Sequence, residues 1–89
     1  MGNETAIVNF YIKRKNGLTD CVDLEIPLYV SANEFVVALN TAYKLGIDTE
    51  KISNCYLKSE NPIALLRGSK LLSEFGIMNG TKIFYDERV

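Results

Sequence analysis

LLSEFGIMNGTKIFY, residues 71–85, is the stretch whose reading decides the fold. Leu71 and Leu72 open it, Ser73 begins a polar turn, and Phe75 and Ile77 are the next apolar residues. Asn79-Gly80 follows, a pair that readily takes positive φ, and then a short β-prone run. This order predicts a helical turn near 72–76, a tight bend and a last strand. Leu72, Phe75, Ile77, Ile83 and Tyr85 are its candidate core positions. They cannot cover one another locally, so the last strand must insert into a sheet built from earlier sequence.

That sheet begins at the other end of the chain. Residues 6–14 alternate, with Val8, Phe10 and Ile12 on one side and Asn9, Tyr11 and Lys13 on the other, the period of a half-buried strand. Lys15-Asn16-Gly17 is a turn with a second Asn-Gly hairpin signal. Residues 19–26 alternate again, with Val22, Leu24 and Ile26 facing in and Cys21, Asp23 and Glu25 facing out. An antiparallel hairpin is expected, ended by Pro27, which has no N–H to donate to a ladder.

Ser31-Ala32-Asn33-Glu34 has capping-box spacing, and Phe35, Val36, Leu39, Ala42 and Tyr43 recur behind it at helical steps, broadened by Val37 and Leu45. A helix over 31–45 is predicted, stopped by Gly46 in a left-handed conformation and covering the hairpin's apolar face. Residues 47–54 read as a connector. A short strand over 55–58 would turn Cys55 and Leu57 in and Tyr56 and Lys58 out. Glu60-Asn61-Pro62 is a turn, 63–66 another short strand, and 67–70 a loop back to the opening stretch.

The 89 residues suit one domain, 1–89, with 1–5 as a flexible lead, and a hydrophobic content of 47% suits one core. With 10 Lys and Arg against 11 Asp and Glu, the formal net charge of -1 creates no field that favours nucleic acid or an anionic membrane. No apolar run approaches the roughly 20 residues that span a bilayer. The start lacks the basic and apolar segments of a signal peptide, which suits a cytoplasmic protein with reduced thiols. There is no histidine, so the commonest general base and metal ligand is missing. Cys21 and Cys55 have neither an imidazole partner nor metal-binding spacing, and they read as an exposed thiol and an apolar filler, unbridged. No catalytic, cofactor or metal residue emerges.

Hairpin, helix, two short strands, helical turn and final strand make an α+β chain with one sheet under one helix. Leu71-Leu72-Ser73-Glu74-Phe75-Gly76-Ile77 resembles the segment before ubiquitin's last strand, where leucine, serine, acidic, aromatic and isoleucine positions follow one another. Asp23-Leu24-Glu25-Ile26-Pro27-Leu28-Tyr29 with the following helix resembles more closely the YukD-like family, small bacterial ubiquitin-like proteins associated with type VII (WXG-substrate) secretion. The resemblance covers most of residues 6–85. It implies a ubiquitin-like β-grasp, a mixed sheet of four to five strands packed under one long helix. It also implies a non-enzymatic adaptor or regulator that docks on cytosolic parts of a membrane-bound secretion machine. Conjugation is not expected, because Tyr85-Asp86-Glu87-Arg88-Val89 reads as a very short tail and no Gly-Gly pair occurs.

The resemblance also places the last strand between the first strand and the 55–58 strand. Tyr11, Lys13, Tyr56, Lys58, Lys82 and Phe84 would then share the helix-free face, and they are the candidate partner-binding residues. Two plainer roles compete. Exposed cross-strand aromatics stabilise a sheet by themselves, and lysines discourage edge pairing. The alternative functions are a ubiquitin-fold binding module of another complex and, as a minor option, a single-stranded nucleic-acid binder that stacks bases on the aromatics.

Overall fold

The computed structural model describes residues 4–51 and 56–87. Alternation in the first strand, β1 (Thr5–Lys13), buries Ala6, Val8, Phe10 and Ile12 on one face. β2 (Thr19–Pro27) pairs with it antiparallel, in unbroken register from Thr5↔Pro27 to Lys13↔Thr19. The turn between them uses Gly17 at φ 89° and the Asn16 side chain, whose Oδ1 accepts the Leu18 N–H at 2.9 Å. Residues 1–3 of the lead expected over 1–5 lie outside the described residues. Thr5 already belongs to β1, and the Glu4 carbonyl accepts the Leu28 N–H at 3.0 Å.

The capping box starts α1 (Ala32–Tyr43) as read: the Glu34 N–H donates to Ser31 Oγ at 3.1 Å, and the Ser31 N–H donates to Glu34 Oε1 at 3.3 Å. Ala32, Phe35, Val36 and Leu39 are its buried positions. The other end differs from expectation. The left-handed cap is Lys44 at φ 53°, two residues before Gly46, although Gly46 is also at positive φ. Asn40 is the reason. Its carbonyl accepts the Lys44 and Leu45 N–H groups, and its side-chain amide both accepts from Ile47 N–H at 2.9 Å and donates to Ile47 O at 3.1 Å. Val37 and Ala42, assigned to the apolar stripe, are exposed, so the covering face is narrower than the sequence suggested.

β3 is Leu57–Glu60, displaced toward the C-terminus from the expected 55–58. Glu60 stays in the ladder opposite Lys82, and Ser59 is tolerated on the buried face because its hydroxyl donates to Pro62 O at 2.8 Å. The expected phase holds at Leu57, buried, and Lys58, exposed. The expectations for Cys55 lie outside the described residues. β4 is Ala64–Leu66, without Ile63, which is 89% exposed.

The strand order β2-β1-β5-β3-β4 puts β5 (Lys82–Asp86) in the middle, parallel to β1 and antiparallel to β3. Its Ile83 is fully buried, and Tyr85 packs half-buried against the core. A 3₁₀ turn, Leu72–Phe75, delivers the chain to β5, ending at Gly76 with φ 82°. Lys70 and the first two residues of this turn are stitched to the entrance of α1 by the bonds Ala32 N–H to Lys70 O, Leu72 N–H to Val30 O and Ser73 N–H to Leu28 O, at 2.9–3.0 Å. Thr81, buried just before β5, donates its hydroxyl to Asn61 O at 2.8 Å and accepts from Met78 N–H at 3.0 Å. Among the described residues no buried side-chain nitrogen or oxygen lacks a hydrogen-bond partner. A mixed five-stranded sheet with one helix across it is the β-grasp architecture.

Candidate protein-binding face

Side-chain alternation carries the sequence's candidates to the face that α1 does not cover. The register sets Tyr11 opposite Phe84, and Phe84 opposite Lys58. Cys21 and Leu65 extend this row at its two ends. The rings of Tyr11 and Phe84 stack with centroids 5.0 Å apart and an interplanar angle of 14°. Both are half-buried, Lys58 is exposed, and Leu65 is 40% exposed. One row therefore brings three of the six candidates together.

The other three sit around it. Lys82 lies in the next row, between Asn9 and Glu60, and Lys13 lies opposite Asp86. Tyr56 precedes β3, half-buried, and helps line a hollow of about 280 Å³ with Ile47, Lys58, Phe84 and Tyr85. The lysines do not form a basic field. Asp23 hydrogen-bonds Asn9 Nδ2, while Glu60 and Asp86 face two of the lysines across the ladder. This interleaving removes the uniform positive groove that single-stranded nucleic acid requires.

The Tyr11 hydroxyl is held above its ordinary pKa, first by loss of solvent around it, then by the Cys21 thiol, and further by Asp23 and Glu60. Tyr11 therefore stays a neutral hydrogen-bonding phenol throughout the physiological range. Cys21 is a free, exposed thiol beside it. Among the described residues no three His, Cys, Asp or Glu side chains gather as metal ligands, and no helix is long and apolar enough to cross a membrane.

Two features of this face were missed in the sequence. Ile7, 53% exposed, and Leu65 add aliphatic surface at its margins, and their phases were available from the alternation of their own strands. Glu87, read as tail, is fastened instead. Its N–H donates to Lys13 O at 2.8 Å, and its carboxylate meets Arg14 Nη1 at 2.9 Å and the Lys15 N–H at 3.2 Å. Arg14 reaches Asp20 as well, also at 2.9 Å, so one guanidinium joins the hairpin turn to the end of β5. No local pattern marks that contact, because its partners are 73 residues apart.

No family model matches the chain, and no curated protein matches it significantly. Solved structures do. The C-terminal ubiquitin-like domain of mouse tubulin-specific chaperone e superposes with a TM-score of 0.63 at 14% identity, over 96% of this chain and 90% of that one. The UBL domain of Plasmodium falciparum Dsk2 superposes with a TM-score of 0.52 at 13% identity, over 91% of this chain and 97% of that one. At such identities the likeness is one of architecture, and the chain has the ubiquitin-like β-grasp fold.

Proposed function

We propose that this chain is a non-enzymatic protein-binding module that engages its partner through the helix-free face. The observation that carries this reading is the Tyr11–Phe84 stack at the centre of the sheet, flanked by Lys58 and Leu65 in the same row. Half-buried aromatics fixed in place by a rigid sheet lose little entropy on binding, and exposed lysines with neighbouring carboxylates give a polar rim. The resemblance of residues 23–29 to the YukD-like proteins supports a narrower role. In that role the module is a cytoplasmic adaptor or regulator of a type VII secretion apparatus, docking on a cytosolic part of its ATPase or scaffold.

The test is a crosslinking pull-down from native cytosol with wild type and Phe84→Ala, each checked for folding by urea denaturation. Loss of a partner with the fold retained supports the face. Equal recovery of every partner by both forms refutes it. If the lost partner is a component of some other complex, the face stands and the secretion role falls.

A further inference from the structure

The second recognition feature lies on the opposite side of the sheet, where α1 fails to cover β2. Val22 and Leu24 pack against the core yet are only half-buried, and the helix side that lines the groove with Leu24 carries the small, exposed Ala38 and Ala42. The result is a groove of about 460 Å³ lined by Leu24, Ile26, Val30, Phe35, Leu39 and Tyr43, within the usual size range of ligand sites. Its outer lip is a free strand edge, since no described strand lies beyond β2.

Two bonds at the ends of the hairpin fix which backbone groups are free. Arg14 N–H donates to Leu18 O at 2.8 Å, and Leu28 N–H donates to Glu4 O at 3.0 Å. Antiparallel pairs alternate between bonded and non-bonded, and the register between these two ends is unbroken. Thr19, Cys21, Asp23 and Glu25 therefore direct their N–H and C=O groups away from β1. A strand laid along this edge would find backbone partners and, on its helix side, the apolar groove.

Charge selects the occupant. β2 and α1 together contain Asp20, Asp23, Glu25 and Glu34 and no lysine or arginine. Arg14 meets Asp20 at the turn end, whereas the carboxylates of Asp23, Glu25 and Glu34 have only uncharged hydrogen-bond donors among the described residues. The chain's formal charge is close to balanced, so this acidic strip is a local segregation. A second copy pairing edge to edge would set these carboxylates against their own images, which is unfavourable.

We propose that the β2–α1 groove is a docking site for an extended apolar peptide segment with flanking Lys or Arg residues, which adds to β2 as a sixth strand. Main-chain bonds along β2 supply affinity, alternate apolar side chains fill the groove, and the flanking cations meet the acidic strip. The groove opens on the helix side of the sheet, opposite the Tyr11–Phe84 stack, while Asp23 and Glu25 turn to the stack's side of the edge, and variants at Ala38 and Phe84 tell the two sites apart.

The probe is a fluorescein-labelled peptide, KRVTVIVRK, compared with its charge-reversed form EEVTVIVEE, by fluorescence polarisation at low salt and by ¹H–¹⁵N spectra of the full chain. The cationic peptide is expected to bind at least about tenfold more tightly than the anionic one, with shifts concentrated in β2 and α1. Ala38→Gln, which adds bulk at an exposed helix position without adding charge, should weaken binding by about tenfold or more. Phe84→Ala should leave it unchanged. Equal binding of the two peptides overturns the proposal, and so do shifts confined to the helix-free face. A concentration-dependent dimer that Ala38→Gln abolishes also overturns it, by making a second copy the occupant.

Discussion

Asn79 places its side-chain oxygen 2.8 Å from the backbone nitrogen of Ile7, seventy-two positions earlier in the chain. The next residue continues the contact, as Gly80 N–H donates to Ile7 O at 2.9 Å. The Asn-Gly bend thus acts as an extra rung between β1 and the chain entering β5, with Gly80 supplying the positive φ of 89°. Asn79→Ala removes one exposed bond and should cost about 0.5–1.5 kcal/mol. Asn79→Asp retains the acceptor and should cost less. Urea denaturation checks both, and an Asn79→Ala midpoint equal to wild type would show that the rung contributes nothing. Gly80→Ala should lose about 1 kcal/mol through backbone strain alone, because its added Cβ would meet no neighbouring atom.

The bend itself was legible in the sequence, and its docking was not. Local pattern gave every described element, the N-terminal cap of α1 and the phase of β1, β2 and β5, because burial on one face imposes period two or a helical period. It placed the cap of α1 wrongly at Gly46, since propensity favours glycine there, while the structure lets the Asn40 side chain hold Ile47 and puts Lys44 in the left-handed position. Tyr11, Lys13, Lys58, Lys82 and Phe84 were legible as outward strand positions, while Tyr56 lies just before β3, and the arrangement into a stacked pair with surrounding lysines required the strand order. The groove beside β2 was not legible. It arises where small residues, Ala38 and Ala42, meet a strand edge, and helical periodicity had counted Ala42 as core.

Asn40 gives a second stability test. Its amide makes two part-buried bonds with Ile47, one donated and one accepted. Asn40→Ala strands both backbone groups and should cost about 1–3 kcal/mol. Asn40→Asp keeps the acceptor for Ile47 N–H, loses the donor, and should fall between alanine and wild type. Thermal or urea unfolding of the three proteins gives the ranking, and an aspartate variant as unstable as the alanine one would mean that the donated bond dominates.

Tyr85 predicts an alkaline loss of stability. Burial, then Glu87, Asp86 and Tyr56, raise its phenol above the ordinary 10.0. The unfolded chain therefore releases this proton at lower pH than the folded one. Between the two values the native state holds more protons, so stability falls as pH rises. The contribution is complete below about pH 10 and disappears as pH climbs through the folded value. Urea midpoints measured between about pH 9 and 11.5 should fall more steeply for wild type than for Tyr85→Phe. Parallel curves would remove Tyr85 as the cause.

The Tyr11–Phe84 stack can be separated from the binding role assigned to it. Phe84 is half-buried on an open face, so Phe84→Ala should cost about 1 kcal/mol, within the range of cross-strand pairs, and leave a folded protein. Tyr11→Ala alone and the double variant complete the cycle. Because the rings lie 5.0 Å apart and nearly parallel, the two losses should add to more than the loss of the double variant. Strict additivity would mean that the rings merely lie beside each other, leaving both free to turn toward a partner. A positive coupling together with lost partner recovery in Phe84→Ala would mean that the sheet holds the pair in place before binding. In that case Tyr11→Phe, which preserves the stack and removes only the hydroxyl, should retain the fold and show how much of the recognition is polar.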